Sequence, residues 1–277
     1  DFGPGSLTRS GYARIVKVWK RGTPIAEAKT LFEGQEDDVG VGAFVVNEPG
    51  RSYHRLRRNL SVRNGEEFIL HGGKWVPVEA PKDADVSTFG GLLLLRLRSD
   101  WTPGKTAFKA GSFIAGDLDK FLAGGRDFEV LFEPQPRLTL KSYAFTKNQI
   151  LLNTLDNVKA RVTELRREGG QWKRRDVDVP RLASVGLAAY DRDTSDDYWL
   201  TVTSFIEPTS LYLGKSGVDT REKLKGLPAF FDTQGLEVVQ HGVRDPADAG
   251  QPAKVGDRRG VVDVVLALDF AFAGDHG

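Results

Sequence analysis

Short runs of alternating apolar and polar residues, each ended by a glycine-rich turn, follow one another along this 277-residue chain. Arg14-Ile15-Val16-Lys17-Val18-Trp19 leads into Lys20-Arg21-Gly22, and Glu67-Phe68-Ile69-Leu70 turns at His71-Gly72-Gly73 into Trp75-Val76-Pro77-Val78. Arg161-Val162-Thr163-Glu164-Leu165 turns through Glu168-Gly169-Gly170 into Gln171-Trp172-Lys173, and Ser210-Leu211-Tyr212-Leu213 turns at Gly214-Lys215-Ser216-Gly217. A period of two bounded by glycine marks antiparallel hairpins. One apolar residue from the strand before each turn gives Ile15, Phe68, Phe113, Val162 and Leu211, spaced by 53, 45, 49 and 49 residues.

A recurrence of this length built from strands predicts the blades of a β-propeller, at roughly 40–50 residues per blade. Two units superimpose. Ala144-Phe145-Thr146, Ile150-Leu151-Leu152-Asn153 and Arg161-Val162-Thr163-Glu164-Leu165 match Ala189-Tyr190-Asp191, Tyr198-Trp199-Leu200-Thr201 and Ser210-Leu211-Tyr212-Leu213, and the units close on Pro180 and Pro228. Each reads as an inner strand, a second strand and an outer hairpin, whose faces are buried by stacking on neighbouring blades. The run Leu92-Leu93-Leu94-Leu95-Arg96-Leu97 suits such a doubly covered strand. The expected fold is therefore all-β, a partial propeller of about five four-stranded antiparallel blades, with a β-sandwich as the alternative. A short helix is expected at Asp119-Lys120-Phe121-Leu122-Ala123-Gly124, inserted in a loop. Blades fill residues 1–241, the first incomplete at its amino end. Residues 242–277 read as a linker and an unmatched tail, in which Val261–Phe270 is a further candidate strand.

Composition narrows the chemistry. The 39 basic and 38 acidic residues leave a net charge of +1, so no whole-chain field holds nucleic acid or an anionic membrane. The longest apolar stretch, Val261 to Ala273, is interrupted by Asp263 and Asp269 and is short of the ~20 residues that span a bilayer. The absence of Cys removes disulfides and thiolate metal sites. The absence of Met, with a start at Asp1 inside a turn, reads as a piece of a longer chain.

Several segments resemble a known family. Asp1-Phe2-Gly3-Pro4-Gly5-Ser6-Leu7-Thr8, Arg14 to Pro24, Asp127-Phe128-Glu129-Val130-Leu131-Phe132-Glu133-Pro134, Leu151 to Val158 and Glu222 to Asp232 are similar to the propeller of bacterial prolyl-oligopeptidase-family serine peptidases. The resemblance covers roughly residues 1–241. It implies a seven-bladed parent in which the propeller covers an α/β-hydrolase catalytic domain and admits only short peptides, hydrolysed after proline. The partners it implies are that catalytic domain and short peptide substrates, and residues 242–277 depart from the pattern.

The chain's own residues offer no catalytic centre. No G-x-S-x-G elbow is present, and Gly214-Lys215-Ser216-Gly217 has the wrong spacing and sits in a turn. As a phosphate loop it would need Gly where Thr209 stands. His54, His71, His241 and His276 are dispersed and read as surface or turn residues. Asp191-Arg192-Asp193-Thr194-Ser195-Asp196-Asp197 fails the calcium-loop spacing, with Asp196 at the sixth position and Val202 at the twelfth, and reads as a solvated loop. Arg55-Leu56-Arg57-Arg58 and the pair Arg166-Arg167 with Lys173-Arg174-Arg175 read as solvated blade edges rather than a nucleic-acid surface. The expectation is thus no catalytic, cofactor-binding or metal residue in this chain, and no cofactor. The rival readings are a stand-alone propeller that binds a protein or peptide, and a propeller hydrolase acting on carbohydrate through inward acids.

Overall fold

The computed structural model describes residues 2–48, 50–234, 236 and 238; the tail, including Val261–Phe270, lies outside the described residues. Two compact units divide the chain, Asp1–Pro134 and Gln135–Gly277.

The first unit opens with a two-stranded antiparallel sheet, β1 (Ile15–Val18) with β2 (Lys29–Glu33). Two four-stranded sheets follow. One holds β3 (Gly40–Glu48), β4 (Arg51–Asn59), β5 (Gly65–His71) and β6 (Lys74–Pro77); the other holds β7 (Asp85–Phe89), β8 (Leu92–Arg96), β9 (Phe113–Asp117) and β10 (Glu129–Phe132). In the second unit β11 (Leu138–Phe145), β12 (Gln149–Asp156), β13 (Lys159–Glu168) and β14 (Gln171–Val177) form one sheet. The other is β15 (Ser184–Ala189), β16 (Asp197–Thr203), β17 (Ser210–Lys215) and β18 (Arg221–Gly226). All four are consecutive antiparallel meanders, and among the described residues no strand leaves one sheet for another, as a sandwich would require. Among the described residues there are four complete four-stranded sheets, and the first, two-stranded one is the incomplete member.

The glycine pairs fix the hairpins. Gly72 and Gly73 have φ of 56° and 76°, and Gly169 and Gly170 have 59° and 82°, the left-handed values that a two-residue turn between twisted strands demands. The helix α1 (Leu118–Leu122) lies in the β9–β10 connection. Its cap is Asp117, whose side chain accepts from the Lys120 N–H, so it starts one residue earlier than Asp119 suggests.

The overlay of repeats holds for the second and third strands. Ile150 faces Leu165 as Tyr198 faces Gly214. On the first strand it slips by one: Phe145, not Ala144, pairs with Ile150 as Ala189 pairs with Tyr198.

Each unit has a core at the seam between its two four-stranded sheets. In the first, Tyr53, Ile69 and Val78 meet Leu93, Leu95, Leu97, Ile114 and Phe121, with Trp101 and Phe128 packed against them. Leu92 to Leu95 are all buried, as expected for a strand covered on both faces. In the second, Leu151, Ala160, Val162 and Val177 meet Val185, Tyr198, Leu200 and Val202.

Candidate functional site

The position of each sheet in its unit follows from which strands approach. In the second unit β15 lies against β11 and β12, so the first strands of adjacent sheets stand side by side and the fourth strands lie farthest out. β11 and β15 thus form one surface at the seam of the second unit.

In the second unit this surface is stitched across the seam. A bulge between Leu140 and Ser142 re-aims Lys141, whose ammonium donates to the Val185 carbonyl at 3.1 Å and the Ser184 hydroxyl at 3.3 Å. The same Val185 carbonyl accepts from the fully buried Asn153 Nδ2 at 2.8 Å. At the turn end, Asp196 locks the two inner hairpins. Its carboxylate accepts from Thr146 Oγ1 at 2.9 Å and from both the backbone N–H and Nδ2 of Asn148 at 2.7 Å. Burial pushes the Asp196 carboxyl up, but the Asn148 and Thr146 donors outweigh it and hold the carboxyl below its usual range.

A second latch lies farther out. Glu164, with a side chain only 4% exposed, accepts from Arg175 Nη1 at 3.1 Å and from the Gly217 N–H at 3.0 Å. Arg175 also reaches Asp219 at 2.7 Å. Beside them the Tyr198 phenol is pushed up to about 12, first by burial and then by the Glu164 charge. Its ring covers Gly214 so closely that a Cβ there would stand 2.6 Å from it.

These contacts account for the segments weighed from sequence. Ser216 donates to the Asp196 backbone carbonyl at 2.8 Å, so Gly214-Lys215-Ser216-Gly217 is turn chemistry. Asp191 caps its own turn, accepting from the Asp193 and Thr194 N–H groups and the Thr194 hydroxyl. Among the described residues no group of three or more His, Asp or Glu could hold a metal. His54 and His71 are exposed, while His241 and His276 fall outside the described residues.

The arginine cluster is a correction. Arg55 to Arg58 lie on β4, the second strand, next to the outer hairpin β5–β6, but they are not a solvated edge. The Arg55 side chain is 5% exposed, donating to Glu67 at 3.1 Å and to the Val86 carbonyl of the next sheet at 2.9 Å. Arg57 shares Glu67 at 2.9 Å, and Arg58 pairs with Asp38 and Glu66. Its bonds hold the Asp38 carboxyl below the usual range despite burial. The charges are consumed inside the protein. The signal lay in Glu66-Glu67 on the following strand, which supplies their partners.

No family model matches the chain. It is similar to an uncharacterized peptidase of Sinorhizobium fredii, 32% identical over 250 residues that cover 87% of this chain and 34% of that protein. It is 26% identical to an uncharacterized peptidase of Rickettsia prowazekii over 84% of this chain and 34% of that one. Among solved structures it resembles a post-proline cleaving enzyme from Rickettsia typhi, with a TM-score of 0.73 and 26% identity over 87% of this chain and 36% of that one. Oligopeptidase B from Trypanosoma brucei, at 14% identity and a TM-score of 0.62, shares the fold. The chain thus spans about a third of the length of the curated relatives it matches.

The fold these sheets define is a partial β-propeller, and the sheets are its blades. Over most of its length the chain is a counterpart of the propeller region of prolyl-oligopeptidase-family peptidases.

Proposed function

We propose that this chain is the substrate-gating propeller of a post-proline serine peptidase. Its first strands form the surface past which short extended peptides move, and size selection follows because a folded protein cannot follow them. The likeness to the post-proline cleaving enzyme, shared by both units, carries this reading. The blades extend to about residue 241, with 242–277 a linker and tail. Catalysis comes from an α/β-hydrolase domain supplied by the longer protein, which is the propeller's main partner, and neither nucleic acid nor membrane is a partner. The internal pairing of Arg55, Arg57 and Arg58 supports the absence of an anionic partner at that cluster.

The test is activity labelling. A fluorophosphonate probe, which phosphonylates activated serines with loss of fluoride, is added to the longer protein that carries this chain. The label is expected outside residues 1–277 and in parallel with loss of cleavage of a proline-containing chromogenic peptide. A label within this chain, or cleavage by this chain alone, overturns the assignment.

A further inference from the structure

The two first strands β3 and β11 manage their free edges differently. The Val41 N–H turns away from β4 to the Ala13 carbonyl at 2.9 Å. Pairing of β3 with β4 then runs without a bulge from Gly40 to Glu48. In an unbroken antiparallel ladder, alternate residues aim their backbone groups to the same side. Ala43, Val45 and Asn47 therefore turn their N–H and C=O groups outward with Val41, and none of the three has a backbone partner on that side among the described residues.

Gly42, Ala43, Phe44 and Val45 are all exposed, Phe44 by 44% and Val45 by 49%. Natural edge strands are blunted by Lys, Pro or a bulge. β11 has both a bulge and Lys141 at it. From Ala43 to Asn47, β3 has none of these. Phe44 is held in place by the Arg55 guanidinium, 5.1 Å from its ring.

We propose that the open edge of β3, from Ala43 to Asn47, binds a short extended peptide by strand addition. The recognising groups are a row of backbone donors and acceptors, the complement of another extended polypeptide backbone. Side chains on the peptide lie alternately against Phe44 on one face and Val45 on the other. The occupant is a short peptide rather than a second copy of the chain, because the Ala13 contact closes the amino end of the strand. The proposal rests on the reading that the first strands meet peptides, and it names where on them a peptide is held.

Isotope-labelled chain is titrated with acetyl-Thr-Val-Thr-Val-Thr-amide and followed by amide NMR. The Ala43, Val45 and Asn47 amides are expected to shift and to exchange more slowly, with smaller changes elsewhere. The same peptide N-methylated at alternate residues loses its edge hydrogen bonds and should bind about tenfold more weakly. Val45→Pro removes one outward N–H at a position where an edge strand tolerates proline, and should weaken binding by a similar factor. Because the N-methylated peptide leaves the protein untouched, the test survives a folding defect in V45P. Equal affinity of the two peptides, or shifts confined to other strands, overturns the proposal. So does a shift of the same amides on concentrating the chain alone, which would assign the edge to a second copy. None of these readings involves catalysis, so failure here leaves the gating assignment standing, and a label misplaced in this chain leaves the edge site standing.

Discussion

The seam inside the first unit and the seam inside the second join similar sheets by different means. In the first, aromatic rings fill the join: Phe128 stacks edge-on with Trp101, Phe108 and Phe121 at 5.4 to 6.1 Å. A buried cation, Arg55, crosses to the Val86 carbonyl, and at the margin of the seam Arg51 pairs with Asp119 and Glu48 accepts from the Gly91 N–H. In the second, the core is aliphatic apart from Tyr198, and polar latches run along it from Lys141 through Asp196 to Glu164 and Asp219. Arg55 at the first seam and Glu164 at the second are buried charges of opposite sign, and each keeps one atom without a partner among the described residues, Arg55 Nε and Glu164 Oε1. Packing depends little on pH or salt, whereas carboxylate latches depend on both. The first seam should therefore respond to changes of volume and the second to changes of charge.

The largest effect is expected from Phe121→Ala, which removes a buried ring from the first seam. A loss of about 3–5 kcal/mol is expected, read by urea unfolding and by faster amide exchange in β8 and β9. If exchange in β16 accelerates instead, the two seams are not independent.

Next is Gly214→Ala, because the new Cβ must displace the Tyr198 ring. Overpacking of this kind costs about 1–3 kcal/mol, and the Tyr198 environment reports it by fluorescence or NMR. An unchanged melting temperature would show that the ring has room to move.

Asp196→Ala removes three accepted bonds at the turn end of the second seam, each worth about 0.5–1.5 kcal/mol net. It also tests the pH response. A carboxyl held low in the fold adds stability that is present above its unfolded value of about 3.9 and is lost as pH falls through the folded value. Stability of the parent chain should fall with acid in this range, and Asp196→Ala should flatten that fall in the second unit's amide exchange. An acid profile unaltered by the substitution would assign the pH response elsewhere.

The smallest effect belongs to Asp219→Asn. Asp219 is 59% exposed, so its pairing with Arg175 contributes about 0.2–1 kcal/mol and is screened by salt. Melting curves at low and high salt should converge for the variant and the parent. A loss that persists in high salt would mean that Asp219 supports Glu164 as a buried group.

The strands, the hairpins and the recurrence could be read from the sequence because they rest on local rules. A period of two and a glycine pair with positive φ need no distant partner. The first-strand slip could not be read that way. Side-chain likeness aligned Ala144 with Ala189, but pairing across the hairpin sets register, and the loop from Phe145 to Ile150 is shorter than that from Ala189 to Tyr198. The burial of Arg55 was hidden for the opposite reason, since arginine is exposed by default and its partners lie on β5 and β7. Asp196 was visible as one acid in a run, and its role appeared only when the turn at Lys147-Asn148, its counterpart in the preceding blade, came within hydrogen-bond reach. The open edge of β3 required the direction of one N–H, that of Val41.

The central claim is that these blades gate a peptidase by size, and substrate length tests it most directly. The longer protein that carries this chain is given a short proline-containing peptide and, separately, the same sequence within a long folded polypeptide. Cleavage of the short peptide alone is the predicted result; equal cleavage of both, or cleavage of neither, would contradict it.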